Sequence, residues 1–137
     1  MEFSVKRGAP RKQKTACIIV GVHTGRILSR SAEDLDKASR GALRRIVQRG
    51  DIGGKPGEHI LLPDVSGISG ERIFLVGAGK REGVTAGDFR KLVGKAASAL
   101  NRMKIRNAVS TLIEVEVKGH DIHWKLDQHL TAFAASS

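Results

Sequence analysis

Apolar and polar positions along this chain follow two different periods, and the switches between them divide it into strands and helices. Phe3 and Val5 stand two apart among polar neighbours, which predicts a short strand with one covered face. Cys17-Ile18-Ile19-Val20-Gly21-Val22 is a continuous apolar run, the pattern of a strand covered on both faces. Between them, Arg7-Gly8-Ala9-Pro10-Arg11-Lys12-Gln13-Lys14 reads as a charged loop. From Ser31 the period lengthens. Leu35, Ala42 and Ile46 fall on one face at helical spacing, flanked by Ala38 and Leu43, and Gly50 is the expected stop. Ser31 is expected to cap this helix, with Glu33 and Asp34 in the first turn, where the helix dipole favours anions. Gly41 inside the helix costs about 1 kcal/mol relative to Ala, which points to close packing at that position.

Asp51-Ile52-Gly53-Gly54-Lys55-Pro56-Gly57 is a loop by its Gly and Pro content. Two strands follow, His59-Ile60-Leu61-Leu62 and Arg72-Ile73-Phe74-Leu75-Val76, joined through a turn region at Gly67 and Gly70. A second long helix starts from an N-cap at Thr85 and buries Phe89, Leu92, Val93, Ala96, Leu100 and Met103, with Arg90, Lys91 and Lys95 outward. Ala108 to Val117 reads as a strand in which Ile113, Val115 and Val117 alternate with Glu114 and Glu116, so one face should be wet. A last helix carries Leu126, Leu130 and Phe133, anchored at its start by Trp124. The order β-β-α-β-β-α-β-α predicts an α/β three-layer sandwich around a mixed, largely parallel sheet.

Length and composition narrow the class. A chain of 137 residues with 40% hydrophobic and 28% charged residues has material for one core, so residues 1–137 are expected to form a single domain. One cysteine excludes an intramolecular disulfide framework. No apolar run approaches the ~20 residues that span a bilayer, and the start lacks an apolar signal region, so a cytoplasmic protein without a membrane partner is expected.

Charge adds a partner class. Lys and Arg number 24 against 14 Asp and Glu, a net charge of +10. Residues 1–50 hold twelve basic and four acidic side chains; the remainder is nearly balanced. Lys37, Arg40 and Arg44, spaced i, i+3, i+7, form a cationic stripe with Arg45 and Arg49 to one side, and these five are the candidate DNA-contact residues. Arg7, Arg11, Lys12 and Lys14 crowd the first loop. Aromatic residues make up only 4% and none interleaves the basic ones, so single strands lack a stacking platform. A solvated cationic helix face is the competing reading.

Motifs of catalysis are weak. Gly77-Ala78-Gly79-Lys80 leaves a strong strand, where phosphate-binding loops sit in α/β folds, but the spacing of a P-loop or dinucleotide fingerprint is missing. A strand-exit turn explains these glycines more simply. His120-Asp121-Ile122-His123 offers two imidazoles without a third metal ligand and reads as a turn entering a helix. Cys17 sits in an apolar strand as a small hydrophobe. Arg49-Gly50-Asp51 is a helix end, and no Gly-x-Ser-x-Gly elbow is present. No residue is assigned a catalytic or metal-binding role.

A resemblance adds to this reading. The ordered segments Met1–Lys6, Ala16–Val22, Gly54-Lys55-Pro56-Gly57, Glu71–Gly77 with Gly79-Lys80, and Val117-Lys118-Gly119 with Trp124-Lys125 resemble the N-terminal domain of bacterial leucyl aminopeptidases, also called cytosol aminopeptidases or aminopeptidase A. The likeness runs from Met1 to about Phe133. It implies a macro-domain-like fold and a parent hexameric metallo-exopeptidase that removes N-terminal residues, leucine among them. It also implies that two divalent cations (zinc or manganese) and the catalytic lysine and arginine belong to a C-terminal catalytic domain. The Asn-Thr-Asp-Ala-Glu-Gly-Arg-Leu motif of that domain is absent from this sequence. The expectation is a separated, non-catalytic domain that ends at Ala134-Ala135-Ser136-Ser137, where the family continues into a linking helix. Some bacterial members also bind DNA, which fits the basic N-terminal half. A free-standing nucleic-acid-binding module and a macro-type binder of nucleotide or ADP-ribose are the alternatives.

Overall fold

A computed structural model describes residues 1–135; Ser136 and Ser137, at the expected start of the linking helix, lie outside the described residues. Strands β1 (Glu2–Val5), β2 (Ile18–His23), β3 (Ile27–Leu28), β4 (His59–Pro63), β5 (Arg72–Gly77) and β6 (Asn107–Ser110) form one sheet. Its order is β1-β6-β2-β5-β4, with β3 paired to the end of β2. β1, β6, β2 and β5 run parallel, while β4 and β3 are antiparallel to their neighbours.

The central strands show why both faces are covered. Cys17 and Ile19 on the β2 segment and Phe74 and Val76 on β5 point into one core, with helices α3 (Ala86–Arg102) and α4 (Ile122–Ala135). Ile18, Val20 and Val22, with Ile73 and Leu75, point the other way onto α1 (Arg30–Ala38) and α2 (Ala42–Gln48). The period of two thus divides each apolar run between two layers of helix, and the α/β three-layer sandwich with a mixed, largely parallel sheet is what the chain forms. Thr85 caps α3 as expected, its hydroxyl accepting from the Asp88 N–H at 3.1 Å.

Four local expectations are corrected. The helix expected from Ser31 to Gly50 is two helices. Asp36 O accepts from the N–H of Gly41 (2.8 Å) and Lys37 O from that of Arg40 (3.2 Å), a Schellman closure. Arg40 and Gly41 both adopt positive φ, +57° and +87°. The Gly41 backbone, rather than close packing, is what that glycine serves. α2 then borrows its cap: the buried Asp36 carboxylate accepts from the Arg44 N–H at 2.8 Å.

The cap of α1 is also displaced. Ser29, not Ser31, holds that position, accepting from the Ala32 N–H at 3.2 Å. The third correction concerns the strand expected over Ala108–Val117, which stops at Ser110 and turns through a single 3-10 turn at Leu112–Glu114. Polar side chains divert the backbone there: Thr111 Oγ1 donates to Ile19 O at 2.8 Å, and Ser110 Oγ accepts from the Leu112 N–H at 3.2 Å. Ile113, Val115 and Val117 are buried as expected, but only Glu116 is fully exposed. The short β3, and Met103 exposed rather than buried, were not anticipated.

Candidate functional site

In open α/β sheets the place for a ligand is the crevice outside the carboxyl ends of parallel strands. Here β2 and β5 end together, β6 stops short of them at Ser110 opposite Ile19, and the connections after β2 and β5 leave towards opposite helical layers. The chain's own groups take up main-chain donors on both sides of it, and a cavity lined by Arg7, Arg30, Glu114, Glu116 and Lys125 remains on the β6 side.

On the β5 side, the glycine loop at residues 53–57 lies across the strand exit. Gly77 donates its N–H to Glu58 O (2.7 Å), Ala78 to Val22 O (2.8 Å) and Gly79 to Gly54 O (2.9 Å). Those donors are the ones that a phosphate-binding turn at Gly77–Lys80 would have offered. Contact is close enough that a Cβ on Gly77 would come within 2.0 Å of Lys55 O. The buried His23 ring closes the same corner, its Nδ1 3.1 Å from Gly79 O, and burial holds its pKa below the ordinary value.

On the β6 side, Glu114 reaches the first turn of α1. Its carboxylate accepts from the N–H of Ser31 (3.1 Å) and Gly8 (3.3 Å) and contacts the Ser31 hydroxyl. An anion at a helix N-terminus is favoured by the free N–H groups and the dipole; this one is supplied from within, 83 residues away. Beneath it Lys125 donates from Nζ to Ile113 O (2.8 Å) and Val115 O (3.0 Å), tying α4 to the turn after β6. Burial lowers the Lys125 pKa, partly offset by Glu116.

A serine–histidine contact lies deeper. His129 Nδ1 is 2.8 Å from Lys125 O, which makes that nitrogen the N–H donor, so Nε2 accepts from Ser110 Oγ at 2.9 Å. Both residues are fully buried. The imidazole is oriented by a carbonyl rather than a carboxylate, so the pair ties β6 to α4 instead of presenting a nucleophile. No sequence signal linked these two residues.

Other candidate residues make local contacts. His120 stacks on Trp124 at 4.0 Å, and Asp121 caps α4 by accepting from the Trp124 N–H at 3.0 Å. Among the described residues no group of three His, Cys, Asp or Glu is arranged to hold a metal ion. Burial pushes the Cys17 thiol up to about 12, the reverse of an activated nucleophile. The Arg49-Gly50-Asp51 tripeptide is closed on itself by a 2.9 Å ion pair.

The five cationic candidates are all exposed, but the break at Arg40-Gly41 divides their stripe between two helices. Arg44 turns back to Glu33 (3.4 Å) and Asp36 (3.5 Å), and Arg45 donates to Arg40 O at 2.9 Å. Lys37 and Arg40 have no carboxylate partner among the described residues. No helix among the described residues is long and apolar enough to cross a membrane.

Comparison with known proteins agrees with this architecture. Residues 19–137 match the family described as the cytosol aminopeptidase family, N-terminal domain. A probable cytosol aminopeptidase of Shewanella denitrificans is 44% identical over 99% of this chain, and one of Vibrio campbellii is 46% identical over 96%. The chain spans about a quarter of their length, 27% and 26%. Among solved structures, the macrodomain of Mycobacterium tuberculosis DarG superposes with TM-score 0.72 at 11% identity, covering 97% of this chain and 90% of that one. A tomato leucine aminopeptidase superposes with TM-score 0.70 at 19% identity over all of this chain and 28% of its own. These two establish the macrodomain-like fold, and the family match together with the relatives at about 45% identity establishes that the chain belongs to the cytosol aminopeptidase family, within its N-terminal domain.

Proposed function

We propose that this chain is the non-catalytic N-terminal domain of a cytosolic leucyl aminopeptidase, a metal-dependent exopeptidase that releases N-terminal amino acids from peptides. In this reading it supports assembly of a homo-hexamer and contributes a cationic surface for DNA. The two divalent cations, zinc or manganese, and the hydrolytic groups are assigned to the protein's own C-terminal catalytic domain. The residues described here do not form a site that fits such ions.

The internal pairing of these main-chain donors carries the non-catalytic assignment. Where a domain of this fold would receive a ligand, Glu114 sits on α1, and the N–H groups of Gly77, Ala78 and Gly79 are taken by Glu58 O, Val22 O and Gly54 O. That arrangement also weighs against the macro-type nucleotide or ADP-ribose alternative, since fold does not confer function. The α1–α2 surface keeps DNA contact in the proposal, and a free-standing nucleic-acid-binding module would use the same surface. The deciding assay is hydrolysis of leucine amide by the purified chain, with and without added zinc or manganese. No turnover is expected under either condition. Turnover that co-purifies with the chain and is lost when its crevice is altered by Glu114→Ala would overturn the assignment.

A further inference from the structure

Two features that no other described residue covers lie on one side of the molecule. Strand β1 is an edge, hydrogen-bonded only to β6 among the described residues. The N–H groups of Glu2 and Lys6 donate to Arg106 O (3.0 Å) and Ser110 O (2.9 Å), so the intervening backbone groups of Phe3 and Val5 face outward. Helix α4 lies over this edge, with Phe133 stacked on Phe3 at 4.7 Å. One flank of α4 meets α3 through Trp124 on Phe89 and Gln128 on Arg90. At 100° per residue the opposite flank carries Leu126, Leu130 and Ala134, one turn apart. Leu130 is 58% exposed. On a chain of net charge +10 this flank bears no Lys or Arg, and the exposed His123 and Asp127 stand beside its leucines as a polar rim.

We propose that β1 pairs antiparallel with β1 of a second copy of this chain about a twofold axis at Ser4, joining two sheets into one and bringing the two α4 flanks together. The strand's own sequence selects this partner and register. Centred on Ser4, Phe3 stands opposite Val5 of the second copy, and these outward-facing residues exchange both main-chain bonds. Glu2 then stands opposite Lys6 of the second copy, twice by symmetry, on the exposed face of the sheet. Centring on Phe3 or Val5 also satisfies the backbone but leaves Glu2 and Lys6 unpaired with each other. Four residues of strand bury too little surface for stable association, and the Leu126–Leu130–Ala134 flank supplies the rest. The contact is isologous. It goes beyond the assembly role proposed above and rests on the pairing of β1 together with the α4 flank.

Sedimentation of the chain at 0.15 M salt, where fields beyond about 8 Å are screened, should give a concentration-dependent dimer. Glu2→Lys and Lys6→Glu should each weaken it roughly ten- to thirtyfold by opposing like charges, and the double exchange should restore it. Ser4→Cys should form a self-disulfide, since facing Cα atoms in a non-hydrogen-bonded pair are about 4.5 Å apart; Val5→Cys should not. Cys17, fully buried, does not compete. All these side chains sit at the surface of the strand, and unchanged thermal melting will certify folding. A monomer at every concentration, or a dimer indifferent to both charge reversals and not linked through position 4, would overturn the proposal. Either outcome leaves the leucine amide assay unaffected.

Discussion

At the scale of single residues, buried polar groups here are satisfied by partners far away in sequence, and that makes them vulnerable. Glu114 holds the N–H groups of Ser31 and Gly8; Glu114→Ala leaves the first turn of α1 without its internal anion. A loss of about 1–3 kcal/mol is expected, seen as a lower urea midpoint at unchanged slope. His23 and His129 set the acid response. Burial is the first cause of the lowered pKa of each, so the folded chain binds these protons more weakly than the unfolded one, whose histidines titrate near 6.5. Stability should be full above about pH 7 and fall as pH drops below 6.5, by up to about 1.4 kcal/mol per pH unit for each histidine. Thermal melting between about pH 7.5 and 5 reads this directly, and His129→Asn should give a shallower dependence. A flat profile would contradict it.

At the scale of elements, the reversal between α1 and α2 couples stability to surface chemistry. Arg40 occupies a left-handed position, φ +57°, that costs a non-glycine residue about 1 kcal/mol. Arg40→Gly should therefore raise the melting temperature while removing a cation from the proposed DNA surface. Parallel changes in stability and DNA affinity would refute the division of roles. The helical character of residues 31–50 was legible, but of the expected face only Leu35 is fully buried; Ala42 and Ile46 are half-buried, and Leu43 and Val47 take the core positions of α2. The break was not legible, because a lone glycine inside an apolar period fits both a continuous helix and a Schellman closure, and only the Asp36 cap decides between them.

At the scale of the whole molecule, the charge asymmetry separates two surfaces. The α1–α2 layer carries the cationic candidates, while the α4 flank carries none. If the first meets DNA, binding should weaken steeply with salt. Replacing Lys37 and Arg40 together by Ala should then reduce the slope of log affinity against log salt by about two. Unchanged affinity and slope in an electrophoretic or fluorescence titration would remove this surface from the proposal. ADP-ribose should give no heat in calorimetry with the same preparation; saturable heat would reopen the nucleotide reading.

Local pattern was enough for the sheet and helix types, for the two-sided burial of β2, and for the start of α3, since alternation, helical period and capping act over a few residues. Gly79, at φ +69°, also read correctly as a strand-exit turn, whereas Gly77 ends β5 and is glycine because Lys55 O lies against it. Strand order, the stop of β6 at Ser110, the Glu114 anchor and the Ser110–His129 tie required the tertiary structure. Each depends on a partner brought close only when distant segments pack, and a carboxylate written as the wet side of a strand becomes a helix cap once the strand ends early. The candidate cations were visible as a charge run, but which of them keep no carboxylate beside them was decided by the fold, because α1 and α2 bring Glu33 and Asp36 to Arg44 and leave Lys37 and Arg40 open to solvent.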